Sequence, residues 1–259
     1  MTISNPMPDL TPFRSNRPTT VALFITCLVD IFRPQVGEAT VRLLEQQGLR
    51  VEFPLDQTCC GAPAHHAGWT REATDNARHW IEVFEPFEAI VSPSATCVAM
   101  VRHEYPRLLA SDAHWRQRAK AMAKRTFELS EFLVDVLGIE TIDSRFEGKV
   151  TYHPACQLLR TLGIDRQPKA LLAQVQDTEI VDLPDSDSCC GFGGPFSVQL
   201  PQIASAMAER KVRAIESSGA DLVVTCETGC LLHIAGQLNR RDSPCQIRHL
   251  AELLAGDIA

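Results

Sequence analysis

Several features that would assign a functional class at once are scarce or missing in this sequence. Lysine and arginine (25) are outnumbered by aspartate and glutamate (32), and the net charge of −7 is opposite to the basic excess of nucleic-acid-binding proteins. The longest predominantly apolar run, Val21 to Val29, falls well short of the roughly 18 residues that span a bilayer. The N-terminal segment lacks the charged and then apolar order of a secretory signal. We therefore expect a cytoplasmic protein with no transmembrane segment and no nucleic-acid partner.

Tyrosine (2) and tryptophan (3) are also scarce, which leaves the ten cysteines as the most unusual part of the composition. In an oxidising compartment these cysteines would predict disulfides. A chain without an export signal keeps its thiols reduced, so metal binding or redox chemistry is the better interpretation. The 259 residues, 45% of them hydrophobic, are enough for one large or two modest domains with a buried core.

Eight of the ten cysteines fall into two matched sets. The first set is Cys27, Cys59, Cys60 and Cys97, and the second set is Cys156, Cys189, Cys190 and Cys230. Matched members are 129 to 133 residues apart, and a proline stands five residues before each Cys-Cys-Gly. A period of this length is too long for a solenoid and is typical of a duplicated domain. The sequence therefore predicts two homologous domains, residues 19–146 and 147–259, after a flexible tail at residues 1–18.

Short apolar runs alternate with helical periodicity within each half. In the first half, the patterns predict strands at 21–25, 49–53 and 89–91 and helices at 36–47, 71–84, 112–124 and 128–137. In the second half, they predict strands at 149–152, 180–183 and 222–224 and helices at 169–175 and 203–215. Such alternation is typical of a parallel sheet with helices on both faces, whose binding sites lie beyond the carboxyl ends of the strands. We expect an α/β fold of two tandem Rossmann-like domains, with each cysteine set at one sheet edge.

Thiolates that converge from separate loops raise one another's pKa unless a cation lies among them. Thiolate-rich sites select zinc, copper(I) or iron–sulfur clusters. Structural zinc sites usually use cysteine pairs two to four residues apart. Here the ligands of one set span about 70 residues, and two of them are adjacent. Adjacent cysteines reach two irons of a cluster more easily than two corners of a zinc tetrahedron, so the spacing favours iron–sulfur without excluding zinc.

The segments around the cysteines resemble the signatures of a known family. They are Thr26-Cys27-Leu28-Val29-Asp30, Gln57-Thr58-Cys59-Cys60-Gly61, Tyr152-His153-Pro154-Ala155-Cys156, Cys189-Cys190-Gly191-Phe192-Gly193-Gly194 and Gly229-Cys230-Leu231-Leu232. These motifs are similar to those of the lactate utilization protein A family. The duplicated cysteine-rich CCG domain of that family also occurs in heterodisulfide reductase. The resemblance covers nearly the whole chain from Val21 onward.

This resemblance implies an iron–sulfur electron-transfer subunit, with one or two 4Fe-4S clusters, in a multi-subunit system that oxidises L-lactate or a similar 2-hydroxy acid to pyruvate. It implies two partners, a ferredoxin-like iron–sulfur subunit and a third lactate-utilization subunit. The sequence contains no ferredoxin-type cysteine run and no flavin motif. We therefore expect a redox subunit that is not catalytic alone.

The last part of the family pattern, Cys-x-x-Cys, is altered in both halves. The first half has only Cys97, and Pro93 stands at the position that corresponds to Cys226. The second half has Cys226 and Cys230 four residues apart. Cys226 is therefore a candidate fifth ligand in the second half. Two arrangements remain open: two different centres, or one cluster in one half beside a vacant or zinc-filled site in the other. Cys245 has no counterpart and is predicted to be a buried structural cysteine.

Two other functions stay open at this stage. The second-half cluster itself could reduce a substrate or a disulfide, or the cysteines could hold zinc in a scaffold module. His153, His65 and His66 lie near cysteines and can ligate metal or donate to a cluster sulfur, although a structural role is more frequent for such histidines. The glycines of the segment Gly191-Phe192-Gly193-Gly194 are predicted to let backbone amides approach cluster sulfurs rather than to bind a nucleotide.

Overall fold

The computed structural model describes Phe13 and residues 17–257, and in this part of the chain eight strands form two parallel sheets. The first sheet contains β1 (Thr20–Leu23), β2 (Arg50–Glu52), β3 (Ile90–Ser92) and β4 (Thr126–Glu128) in the order β2-β1-β3-β4. The second sheet contains β5 (Arg145–Tyr152), β6 (Gln176–Ile180), β7 (Leu222–Thr225) and β8 (Gln246–His249) in the order β6-β5-β7-β8. The identical strand order confirms the predicted α/β fold of two tandem parallel-sheet units.

Helical segments follow each strand in both halves, and the first half contains more of them. The first half contains α1 (Cys27–Phe32), α2 (Pro34–Gln46), α3 (Ala62–His66), α4 (Thr70–Phe84), α5 (Ala95–Ala99), α6 (Tyr105–Leu108), α7 (Ala113–Ala123) and α8 (Leu129–Glu131). The second half contains α9 (Arg166–Leu172), α10 (Pro195–Gln199), α11 (Pro201–Ser218), α12 (Thr228–Arg240) and α13 (Leu250–Leu254). Three π-helical segments occupy Met100–Glu104, Phe132–Val136 and Gln157–Leu162. None of the helices in the described part of the chain has the length and apolar character needed to cross a bilayer.

The duplication extends to the buried faces of the long helices. The buried side chains of α4 are Ala73, Ala77, Trp80, Ile81 and Phe84. Those of α11 are Ala204, Ala208, Lys211, Val212 and Ile215, each 131 residues further along the chain. This spacing of three and four residues places one apolar stripe of each helix against the interior. The only change of chemical class in the series is the replacement of Trp80 by Lys211.

The last helix of each half packs against the other half. Helix α13 lies on α2 of the first half, where Arg42 forms an ion pair with Asp257. In the matched arrangement, α8 and the π-helical segment after it lie on α9, where Arg166 donates to the Asp135 carboxylate at 2.5 Å. One continuous apolar core therefore contains residues of both sheets. A second core under α4 and α7 belongs to the first half alone.

The fourth strand of each sheet is absent from the sequence prediction. Strand β4 has three residues and leads directly into α8, so Glu128 caps that helix instead of starting it. So short a strand offers too few residues for an alternating pattern to be recognised. The predicted strand at 180–183 is also shifted, because β6 occupies 176–180.

The predicted tail lies largely outside the described residues. Of its described members, Phe13 packs edge-on against Phe127 with ring centroids 5.0 Å apart, and Arg17 donates a hydrogen bond to the carbonyl oxygen of Gln47 at 2.8 Å. Strand β5 begins at Arg145, two residues before the predicted start of the second domain.

Candidate metal centre

The four cysteines of the first half meet beyond the carboxyl ends of β1, β2 and β3. The Sγ atoms of Cys27 and Cys59 are 3.8 Å apart, and those of Cys60 and Cys97 are 3.1 Å apart. A further S–H···S hydrogen bond joins the adjacent Cys59 and Cys60. The structure therefore brings the whole first set together as free thiols.

The matched cysteines of the second half meet in the same way beyond β5, β6 and β7. The Sγ atoms of Cys190 and Cys230 are 3.0 Å apart. Cys189 accepts S–H···S hydrogen bonds from Cys156 and from Cys190. The second set is therefore also one group of free thiols.

The first turns of helices hold the outer members of both sets. Cys27 is the first residue of α1, and Cys97 lies in the first turn of α5, where its backbone N–H donates to Ser94 Oγ at 3.4 Å. Cys156 directly precedes a π-helical segment, and Cys230 lies in the first turn of α12. Helix N-termini carry partial positive charge, which stabilises thiolates.

A left-handed glycine shapes each Cys-Cys-Gly turn. The φ angle is 82° at Gly61 and 87° at Gly191. The glycine N–H donates to the sulfur two residues earlier, at 3.4 Å from Cys59 in the first half and 3.3 Å from Cys189 in the second. A Cβ added at Gly191 would lie 2.6 Å from the carbonyl oxygen of Ala204. Both the backbone conformation and the available space therefore require glycine at position 191.

In each set, the pKa of the first cysteine of the adjacent pair is lowered by its neighbours. Hydrogen bonds from Cys27 and Cys60 lower the pKa of Cys59 to about 3. Hydrogen bonds from neighbouring thiols, first of all Cys156, lower the pKa of Cys189 to about 2. The pKa of each donor, Cys27, Cys60, Cys156 and Cys190, is raised, because the hydrogen bond and burial retain its proton. A metal cation in place of the shared protons would let all four sulfurs of a set ionise.

The two sets face one cavity of about 390 Å³ between the halves. Its sulfur lining comes from Cys27, Cys60 and Cys97 of the first half and from Cys156 and Cys230 of the second. The other side chains of the lining include Thr26, His66, Ser94, Thr96, Phe192, Val198 and Glu227. Cysteines of both sets therefore line one shared cavity.

Glu227 is a cavity residue that the sequence reasoning missed. Its buried carboxylate accepts hydrogen bonds from the backbone N–H of Thr96 at 2.8 Å and from Ser94 Oγ at 3.2 Å, and so joins the halves. Burial raises the pKa of Glu227. Ser94 and Glu227 stand three residues before Cys97 and Cys230, respectively. An alignment of the two repeats on Cys97 and Cys230 would have placed Ser94 opposite Glu227 and so identified this pair.

The remaining two cysteines lie apart from the sets. The Cys226 thiol contacts the Tyr152 hydroxyl, with Sγ and Oη 3.8 Å apart, and burial raises its pKa. A fifth-ligand role for Cys226 stays a prediction, and it requires this side chain to turn away from Tyr152. Cys245 lies at the amino end of β8, where its thiol donates to the carbonyl oxygen of Gln246 at 3.5 Å and burial raises its pKa to about 11.

One histidine belongs to the second thiol set. A ring nitrogen of the buried His153 and the Sγ atoms of Cys190 and Cys230 all lie within 4.8 Å of one another. Burial, assisted by the Lys211 cation, lowers the pKa of His153 to about 3. The structure therefore places an unprotonated imidazole beside the thiols of the second half.

The other two candidate histidines end α3. His66 lines the shared cavity, and burial lowers its pKa. His65 lies outside that lining, with its Nε2 3.6 Å from the Glu104 carboxylate.

A model of the cysteine-rich CCG domain matches the chain twice, at residues 21–102 and 150–235. Each match contains one complete set of four cysteines. Lactate utilization protein A of Halalkalibacterium halodurans is 47% identical over 234 residues, which cover 90% of this chain and 96% of that protein. Lactate utilization protein A of Bacillus subtilis is 43% identical over 234 residues, which cover 90% of this chain and 98% of that protein. These findings confirm the resemblance seen in the cysteine motifs.

Among solved structures, a hypothetical protein from Helicobacter pylori superposes with a TM-score of 0.64 at 12% identity. The superposition covers 94% of this chain and 50% of that chain, so this chain spans half of the solved protein. At this level of identity the similarity establishes a shared fold.

Proposed function

The chain belongs to the lactate utilization protein A family, and from this membership we propose that it is an iron–sulfur electron-transfer subunit of a cytoplasmic lactate-oxidising system. The system oxidises L-lactate, or a similar 2-hydroxy acid, to pyruvate. The chain works in it with a ferredoxin-like iron–sulfur subunit and a third lactate-utilization subunit. It transfers electrons and is not catalytic alone.

One observation carries this proposal: thiols from two matched halves converge on a single cavity. The donor set fits the proposed group, because each half provides four soft sulfur ligands in one place, and the pKa of one of them is lowered by its neighbours. Cys27, Cys59, Cys60 and Cys97 would hold one centre, and Cys156, Cys189, Cys190 and Cys230 the other, with Cys226 as the candidate fifth ligand. An iron–sulfur centre supplies reversible one-electron transfer when it is bound.

The protein's own contribution is to set the electrostatic environment of the sulfurs. The backbone N–H groups of Gly61 and Gly191 donate to sulfur, which favours added negative charge and raises a reduction potential. The Lys211 cation attracts negative charge on Cys190 and Cys230 and therefore also raises a reduction potential. Glu227 is an acidic group in the shared cavity, and in its ionised form it acts in the opposite direction.

We assign the two metal-binding units to residues 19–146 and 147–259, after the tail at residues 1–18. The CCG matches fall one inside each unit. Strand β5, which starts at Arg145, leads into the second unit.

The composition of the protein purified without oxygen tests the proposal. Iron, acid-labile sulfide and zinc are measured per chain, together with the visible absorbance. We expect iron and sulfide in comparable amounts and a brown protein. A colourless protein that contains zinc and no labile sulfide would contradict the electron-transfer proposal and would indicate a zinc-binding scaffold instead.

Substitution of single cysteines tests the ligand assignment. Cys190→Ser removes a ligand of the second set and is expected to abolish the absorbance of one centre while leaving the other. Cys245→Ser is the matched control, because this thiol is also buried but lies at the amino edge of its sheet. Equal losses in both variants would show that the ligands are misassigned.

A second candidate function is the reduction of a substrate or disulfide inside the cavity. The observation that favours it is that the cavity between the thiol sets is also lined by Phe192 and Val198, which offer apolar contact to a bound molecule. Turnover of a disulfide by the isolated chain with an artificial electron donor decides between the two. The electron-transfer subunit is expected to show no turnover until its partners are added.

A further inference from the structure

The two halves differ in chemistry at one buried position beside the cysteines. His153 stands three residues before Cys156, and Phe24 stands three residues before Cys27. The Phe24 ring packs edge-on against Trp80 of α4, with ring centroids 5.3 Å apart. The first half is therefore apolar where the second half carries a nitrogen base.

The neighbouring position on the long helix changes as well. Lys211 of α11 replaces Trp80 of α4 and is completely buried. Its Nζ donates to the carbonyl oxygens of Asp185 at 2.7 Å and Ser186 at 3.2 Å. The second half therefore has an imidazole and an ammonium group, next to the thiols, at the two positions where the first half has an aromatic pair.

The imidazole of His153 faces the thiols and has no other polar partner among the described residues. The residue is 0% exposed, and neither ring nitrogen has a hydrogen-bond partner in the part of the chain that the structure describes. A buried polar group without a partner is destabilising, and native proteins seldom retain one without a reason. Its distance to the Cys190 and Cys230 sulfurs, within 4.8 Å, is within the reach of a shared metal centre.

We propose that His153 is a nitrogen ligand of the metal centre in the second half. That centre then has mixed sulfur and nitrogen donors, whereas the first-half centre has sulfur donors only. This inference rests on the proposed binding of metal by the two cysteine sets. Ligand identity is one of the properties that set the potential of an iron–sulfur centre, and here an imidazole nitrogen is added to the sulfur ligands. The two centres therefore differ in their ligand sets and are expected to differ in reduction potential.

Pulsed electron paramagnetic resonance of the anaerobically purified protein tests the ligand directly. Protein with histidine labelled by nitrogen-15 is compared with unlabelled protein in the paramagnetic state of the centre. We expect a hyperfine coupling of the size given by metal-bound nitrogen, changed by the isotope. If the bound metal is zinc, X-ray absorption at the zinc edge replaces this measurement, with nitrogen expected at roughly 2.0–2.1 Å beside sulfur at about 2.3 Å.

His153→Phe is the matched variant, because phenylalanine is the residue that the first half has at this position. It is expected to lose the nitrogen signal and to shift one of the two reduction potentials. His66→Phe and His233→Phe are the controls, since His66 lines the cavity and the His233 ring lies 6.1 Å from that of Phe192. Both controls are expected to keep the signal.

The outcomes distinguish a failure of the proposed metal binding from a failure of the assignment of His153 as a ligand. Wild-type protein without bound metal would defeat the proposed function itself. Metal-loaded wild-type protein without a nitrogen signal would defeat only the assignment of His153, as would a signal that survives in His153→Phe and disappears in a control. The labelled wild-type protein decides the matter even where a variant fails to fold.

Discussion

The glycine after each cysteine pair is the single residue on which the shape of the thiol set depends most directly. Gly191 has a φ of 87°, and an added Cβ would meet the backbone of Ala204 at 2.6 Å. Gly191→Ala is therefore expected to lower the free energy of unfolding by about 2–5 kcal/mol, from the left-handed backbone and the clash together. Urea unfolding measures this change, and the second-half centre is expected to be lost with it.

Gly219→Ala is the control for the backbone contribution alone. Gly219 ends α11 with a φ of 69°, and no atom lies within 4 Å of its added Cβ. The expected loss is about 1–2 kcal/mol, with metal content unchanged. Equal losses of stability in the two variants would contradict the role given to the space around Gly191.

At this scale the sequence identifies the thiols and misses their partners. Cysteines are recognisable because they are few and their spacing repeats. Glu227 and Lys211 resemble ordinary surface charges in the sequence, and only burial beside thiols gives them a role. The direction of the Cys226 side chain toward Tyr152 is set by packing between residues 74 positions apart in the second half, which a linear spacing does not encode.

Among the secondary-structure elements, the short helices α8 and α13 are capped by buried titratable residues of opposite type. Glu128 caps α8 by accepting a hydrogen bond from the backbone N–H of Ser130 at 2.8 Å. His249 caps α13, where its Nδ1 accepts from the N–H of Ala251 at 3.1 Å and its Nε2 donates to the Pro93 carbonyl oxygen at 3.0 Å. Each cap is the last residue of the fourth strand of its sheet, so the duplication has kept the position of the cap and changed its ionisable group.

Burial raises the pKa of Glu128 from 4.5 to about 7, which gives the stability of the protein a defined dependence on pH. Between these values the folded state binds more protons than the unfolded state, so this contribution is present below pH 4.5 and is lost as the pH rises to about 7. Glu128→Gln is expected to abolish this decline, which amounts to at most about 3 kcal/mol. Urea unfolding of both proteins across this pH range measures the difference. Parallel stability curves for the two proteins would contradict it.

His249→Gln is the matched control because the dependence has the opposite sign. Burial lowers the pKa of His249 from 6.5 to about 4, so the contribution of this residue is present above pH 6.5 and is lost as the pH falls to about 4. Glutamine keeps one acceptor and one donor at the cap. This variant is expected to lose less stability than the wild type as the pH falls from 6.5 to about 4. The loss of stability that Glu128 causes as the pH rises toward 7 is expected to remain.

Long, strongly periodic elements could be predicted from the sequence, and short ones could not. Helices α4 and α11 fall where their apolar spacing predicts them. Strands β4 and β8 have three and four residues, and each runs directly into a helix. Their existence depends on pairing with β3 and β7, which is an interaction between distant parts of the chain.

In the whole molecule, the duplication produces two halves that complete each other. Each half ends in a helix that packs on the other, the Glu227 carboxylate joins the segments before Cys97 and Cys230, and one core contains both sheets. The repeated cysteine spacing predicts two domains but not this exchange, because the apolar face of a terminal helix does not specify which half it covers. The shared cavity exists only when both halves are folded.

This arrangement predicts that the halves unfold together, and the tryptophans allow a direct test. All three tryptophans, Trp69, Trp80 and Trp115, belong to the first half, so their fluorescence reports on that half alone, whereas far-ultraviolet circular dichroism reports on both. We expect the two signals to give coincident urea transitions, as in a two-state process. Gly191→Ala weakens only the second half directly, yet it is expected to move the fluorescence transition of the first half by the same amount as the dichroism transition. A fluorescence transition that stays in place while the dichroism curve splits into two steps would show that the exchanged helices and the common core do not couple the halves.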